Sequence, residues 1–323
     1  MTPSRADQEG HRDLRSEAAP TGIGPSGFIP SAQGEFETSA HEDAGVRSQW
    51  ALFRRRFMRH KIAVLSVGVL IALTILCFGA NFFAPYSNTD LDLLNIAVGP
   101  DGTHWLGTDQ LGRDHLTRLL YAGQISLKIG FAVAIISTFV GTAVGAIAGY
   151  VGKGTDQILM RVTDLFLVVP GIAILAIALE YFGHTDSVII IVLAFLFWMY
   201  VARIVRGEVL SLKEKEFIEA ARASGASQSR IIVRHIVPNI VGSISVNATL
   251  SVAAAIITES TLSFLGFGVQ PPQTSWGAML SDAEGYISIH QHLLYAPGML
   301  ILITVLAVNF IGDGLRDAFD PQS

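Results

Sequence analysis

The chain has 323 residues, of which 50% are hydrophobic and only 15% charged, against about 25% charged in an ordinary soluble domain. The net charge of −5 and the mean hydropathy of +0.47 exclude a nucleic-acid binder, whose basic residues would gather on one face. The single cysteine, Cys77, excludes an internal disulfide framework. Apolar blocks of about twenty residues, the length that crosses a bilayer core as a helix, mark an all-α polytopic membrane protein.

Residues 1–49 are rich in Ser, Gly, Pro, Ala and charge, too polar to offset chain entropy, and read as a disordered tail. They contain no apolar h-region of a secretory signal. The first predicted span covers 62–83, about 33 Å of charge-free helix, directly after Arg54, Arg55, Arg56, Arg59 and Lys61. In 84–124, Asp90, Asp92, Asp101, Asp109 and Asp114 outnumber Arg113 and Arg118. Leu111, Leu116, Leu119 and Leu120 form an apolar stripe, and Asp114 stands i,i+4 from Arg118. That pattern predicts an amphipathic surface helix over 109–123. The alternative is contact of Asp109, Arg113 and Asp114 with a partner or substrate.

The second span, 129–151, repeats glycine every four residues at Gly141, Gly145 and Gly149, one face of a helix open to close backbone approach. The glycines serve static packing or a sliding surface. The third span, 158–182, is expected to bend at Pro170-Gly171, and its Arg161 and Asp164 stand at a pairing distance of i,i+3. The fourth, 187–205, loses its apolar character at Arg203. A fifth begins near Ile240 and places Glu259 about 29 Å further on, near the outer boundary. There it is either a pathway or gate residue or a polar anchor facing outer water. The sixth, 293–312, carries Pro297-Gly298, a second expected bend. Asn247 and Asn309 suit interhelical hydrogen bonds. His290 and His292 are too few for a closed transition-metal site, so no metal is expected.

Between the fourth and fifth spans lie Arg203, Arg206, Lys213, Lys215, Arg222, Arg230 and Arg234, whereas 266–292 contains no Lys or Arg. With six spans, the positive-inside rule puts both termini and 203–238 in the cytoplasm. Within that segment 213–223 reads as a short helix, with Phe217, Ala220 and Ala221 on one side and Glu216, Glu219 and Arg222 on the other. Gly225 suits a left-handed stop. Ser227 suits the cap of a second helix, which must end before Pro238.

Glu219-Ala220-Ala221, then Gly225, then Pro238, resemble the EAA loop of ABC importer permeases. His235-Ile236-Val237-Pro238-Asn239 is similar to the peptide-transport branch. So are 54–61, His104-Trp105-Leu106-Gly107-Thr108-Asp109, Gly112-Arg113-Asp114, 258–268, Pro271-Pro272, Trp276-Gly277 and 309–317. The resemblance covers about residues 50–320. It implies a type I ABC importer permease fold with six transmembrane helices and a coupling helix that docks into an ATP-binding subunit. The domains would then be a cytoplasmic tail (1–49), a first transmembrane helix with an extracytoplasmic segment (50–123), the permease domain (124–314) and a short cytoplasmic C-terminus (315–323).

The resemblance further implies a bacterial inner-membrane subunit without catalytic activity or cofactor. It would pair with a homologous permease, two ATP-binding subunits using ATP and Mg, and an extracytoplasmic solute-binding protein. Glu219, Ala220, Ala221, Arg222, Gly225 and Pro238 would carry the coupling. The chain itself has no Gly-x-x-x-x-Gly-Lys-Ser/Thr phosphate loop. Di- and oligopeptides are the expected cargo, with nickel or another small solute as the alternative. An ion-coupled secondary transporter is disfavoured because the span centres are nearly free of ionisable groups.

Overall fold

A segment in a bilayer core must satisfy its backbone hydrogen bonds internally, and the computed structural model, which describes residues 49–319, is built from helices. In chain order they are α1 (Gln49–Arg59), α2 (Lys61–Phe78), α3 (Ala80–Phe83), α4 (His115–Val151), α5 (Lys153–Val168) and α6 (Gly171–Phe182). There follow α7 (Asp186–Leu212), α8 (Glu216–Ala223), α9 (Gln228–Ile231), α10 (Val241–Phe264), α11 (Trp276–Glu284) and α12 (His292–Phe319). Five of these, α2, α4, α7, α10 and α12, are long and apolar enough to cross a membrane. The pair α5 and α6 makes a sixth span if its two halves, bent by 84°, are counted as one. Of the tail expected over 1–49, residues 1–48 lie outside the described part of the chain, as do the last four residues, while Gln49 begins α1.

Several helices differ from the sequence expectation. Residues 115–151 are one helix of 37 residues, about 55 Å long, so 115–123 is its first two turns rather than a separate surface helix. Asp114 does not pair with Arg118; it caps α4 by accepting from the Thr117 N–H at 2.8 Å. The third span breaks at Val169-Pro170, because Pro170 has no N–H to donate back into α5. Pro297, by contrast, sits in the second turn of α12, which continues through it and on to Phe319, so 315–319 is helix. The fourth span reaches Leu212 with Arg203 and Arg206 inside it, since α5 supplies their partners. Asp164 takes Arg203, not Arg161, and Asp156 accepts from Arg206 at 2.6 Å. Asn247 donates to the Ser243 carbonyl of its own helix, 2.8 Å away.

The most extensive contact is between α4 and α7. A Cβ on Gly141 would stand 2.6 Å from Val201 Cβ and 2.7 Å from the Trp198 carbonyl oxygen, and one on Gly149 would be 2.9 Å from Val209 Cβ. A Cβ on Gly145 would meet the Ala202 carbonyl. These three glycines therefore set the separation of the two helices. Ile129 and Val133 of α4 and Leu193 and Met199 of α7 fill the adjoining core.

At one end of the bundle, the loop before α4 is fastened by buried charge. Asp109 accepts from the Leu111 and Arg113 N–H groups at 2.9 Å each, from Arg113 Nε at 2.7 Å and from Arg118 at 2.8 Å. Arg118 also reaches Asp282 of α11 at 3.4 Å and Thr274 at 3.3 Å. His104, stacked on Tyr86, contacts Asp114 at 2.9 Å. Burial alone would raise the Asp109 pKa, but the donated N–H groups and the two guanidinium charges outweigh it and hold the carboxyl below its ordinary range.

Candidate functional site

The segment between α7 and α10 lies at the opposite end of the bundle. Lys215 leads into α8, whose eight residues are fewer than an isolated helix needs to persist in water, so its order depends on tertiary contact. That contact is Ile218, fully buried in a cluster with Val205 and Val209 of α7, Ala146 of α4, and Ile231, Ile236 and Ile240. Ala221, one turn on, is half-buried against the same cluster. The remaining side chains point away: Phe217, Glu219, Ala220 and Arg222 are exposed. The sequence grouped Phe217, Ala220 and Ala221 on one side, but of these only Ala221 lies on the packed side, and Phe217 and Ala220 do not. Ile218 does, because an i,i+3 pair with Ala221 shares one face. That spacing was the available signal for Ile218.

The turn after α8 is closed by two backbone bonds, Ala226 N–H to the Ala221 carbonyl (3.1 Å) and Gly225 N–H to the Arg222 carbonyl (3.0 Å). This is the Schellman pattern, and it holds Gly225 at φ +78°, a region a Cβ disfavours. Ser227 caps α9, accepting from the Arg230 N–H at 3.4 Å. The chain does not stop before Pro238. It widens into a π turn (Ile232–Ile236) and tightens into a 3₁₀ turn (Val237–Asn239) that contains Pro238, and these absorb the missing proline N–H before α10 begins. The Arg222 guanidinium lies 6.0 Å from the Tyr150 ring centroid at the end of α4, close enough for a cation–π contact.

Glu259 occupies the sixth turn of α10 and is fully buried, which overturns its reading as an anchor facing outer water. Its Oε1 accepts from Ser263 Oγ at 2.7 Å, and Ser260 lies 3.5 Å from Oε2. Ser275 contacts Ser263 at 3.2 Å and caps α11, while the Trp276 N–H donates to Ser126 of α4 at 3.1 Å. A Cβ on Gly277 would stand 2.5 Å from Ser260 Cα, so α11 lies directly on α10. The carboxyl therefore sits where α4, α10 and α11 meet. The full set of serines around it could not be assigned from sequence, because two of them, Ser275 at the start of α11 and Ser126 of α4, lie outside α10. His292 stands edge-on to both His115 and His290. The described residues contain no group of three His, Cys, Asp or Glu side chains placed to hold a metal ion.

Comparison with known proteins bears on the same segments. Residues 141–323 match the family profile described as binding-protein-dependent transport system inner membrane component. Residues 48–100 match the N-terminal TM domain of oligopeptide transport permease C. The chain is 43% identical over 278 residues to the oligopeptide transport system permease protein OppC of Haemophilus influenzae, covering 85% of this chain and 89% of that one. It is 40% identical to the glutathione transport system permease protein GsiD of Pectobacterium atrosepticum, covering 87% and 93%. A chain of the inward-facing MetNI methionine ABC transporter superposes with a TM-score of 0.54 at 19% identity, covering 62% of this chain and 96% of that one. This last likeness is one of fold.

Proposed function

Because the chain belongs to the family of binding-protein-dependent transport system inner membrane components, we propose that it forms half of the translocation pore of an ATP-driven importer for di- and oligopeptides. Peptide cargo is supported by the oligopeptide permeases it resembles over most of its length. The solute arrives from an extracytoplasmic binding protein, a homologous permease supplies the other half, and two ATP-binding subunits use ATP and Mg. In this reading the protein crosses the bacterial inner membrane six times, with α5 and α6 as one broken span and both termini cytoplasmic.

The observation that carries this reading is the mounting of α8. Ile218 fixes it onto the α4–α7 unit while Phe217, Glu219, Ala220 and Arg222 are left outward. A helix held in that way transmits a push from a partner into two spanning helices. Glu219 and Arg222 offer charge to the ATP-binding subunit, and Ala220 leaves room for its groove. Ala221 seats the helix, and Gly225 and Pro238 set the turns that bring the chain back to α10. Gly141, Gly145 and Gly149 keep α4 and α7 moving together. Glu259 serves the gate indirectly, by joining α10 to α11 and α4.

Reconstituted with its partners in vesicles, an Ala220→Trp variant is expected to insert and fold normally and to lose ATP-coupled peptide uptake. Normal uptake by that variant would sink the coupling role. Uptake in the wild type that persisted without ATP but collapsed with an ion gradient would replace the importer by a secondary transporter.

A further inference from the structure

We propose that α1 is a lipid-binding helix whose partner is the anionic phospholipid headgroup layer of the leaflet that α2 enters. The helix has two faces. One is fastened to the protein: the Phe53 ring centroid is 4.5 Å from that of Phe319, a Cβ on Gly314 would be 3.2 Å from the Phe57 ring, and His60 Nε2 is 3.7 Å from Asp317. His60 also accepts from the Ala63 N–H at 3.1 Å and so caps α2. The opposite face carries Arg54, Arg55 and Arg59, followed by Lys61 at the start of α2. All four are exposed and make no ion pair among the described residues.

Two features select lipid over an acidic protein groove. The cations alternate with exposed apolar side chains, Leu52 and Met58, and that apolar surface continues through Ile62 and Leu65 onto the membrane-length helix α2. A protein groove would match the charge and leave this stripe without a continuous partner. Position is the second feature. Because α2 begins at Lys61 and α1 is tied to the last turns of α12, the whole of α1 lies within about 17 Å of chain from the membrane boundary. Basic side chains with long aliphatic stems reach headgroups from there while Leu52 and Met58 enter the acyl boundary. The proposal is independent of what the protein transports.

The test uses the purified full chain in phosphatidylcholine vesicles containing phosphatidylglycerol, with spin-labelled forms of both lipids reporting relative association. The wild type is expected to favour phosphatidylglycerol at least about fivefold, the factor one basic residue near an acidic surface supplies. The preference should shrink toward unity as salt is raised. A quadruple variant R54Q/R55Q/R59Q/K61Q is expected to lose most of it, and R54K/R55K/R59K to keep it. Equal association of the two lipids with the wild type, or a salt-independent preference, would overturn the proposal without recourse to any variant. So would a neutral variant that keeps its lipid selectivity but no longer co-purifies with ATP-binding subunits, since the face would then belong to a protein.

Discussion

Truncating Ile218 to Ala should release α8 from the bundle while leaving its outward face intact. Ile218 is the one fully buried side chain of an eight-residue helix, and it packs against Val205, Val209, Ile231 and Ile236. Removing a buried isoleucine to Ala costs about 2–5 kcal/mol. Because α8 cannot hold its shape alone, that cost falls on its docking rather than on the spanning helices. Even the lower figure raises the undocked population about thirtyfold. Hydrogen exchange on the chain in nanodiscs reads this directly. Amides of 216–231 should lose protection, including Ser224 and Ala226, which donate to the Ala220 and Ala221 carbonyls, while those of α4 should not change. Phe217→Ala, one residue earlier and exposed, should exchange like the wild type and weaken association with ATP-binding subunits. Unchanged protection over 216–231 in Ile218→Ala, or equal loss in Phe217→Ala, would refute the mounting argument.

Gly145→Leu must force α4 from α7 against the Ala202 carbonyl, an overpacking cost of about 1–3 kcal/mol or more. The melting temperature in detergent should fall, whereas Gly154→Leu, whose Cβ meets nothing within 4 Å, should leave it unchanged. Arg118→Met removes one of the two guanidinium partners of Asp109, which keeps Arg113 and two N–H donors, so the loss should fall below the about 3–5 kcal/mol of a fully broken buried pair. Proteolysis within 84–114 should accelerate, and adding Asp109→Asn should recover part of the loss. The depressed Asp109 pKa fixes the sign of a pH effect. Its stabilisation is fully present above the unfolded value of about 3.9 and is lost as pH falls through the lower folded value. The melting-temperature difference between wild type and Asp109→Asn should therefore hold from pH 7 to 5 and narrow only below about pH 4. Narrowing already at pH 6 would assign it to another group.

The sequence by itself determined the helical membrane class, because a bilayer demands a length and polarity that can be read one segment at a time. It also determined a short helix ending before a stop at Gly225, since caps and left-handed positions depend on neighbours a few residues away, although the helix begins at Glu216 and not at Lys213, which caps the end of α7. Helix ends that lack a local breaker were not legible: nothing between 115 and 129 tells whether α4 is one helix or two. Partner choice was decided only by tertiary structure. Asp114 and Asp164 each had a basic residue at helical spacing, yet His104 and the Thr117 N–H took the first and Arg203 the second. A buried charge goes to whichever donor the packing brings within reach. The same reason governs Glu259. Its place along α10 could be counted, but its burial depends on Ser263, on the loop carrying Ser275 and on Ser126 of α4, and those are joined only when α11 folds back onto α10.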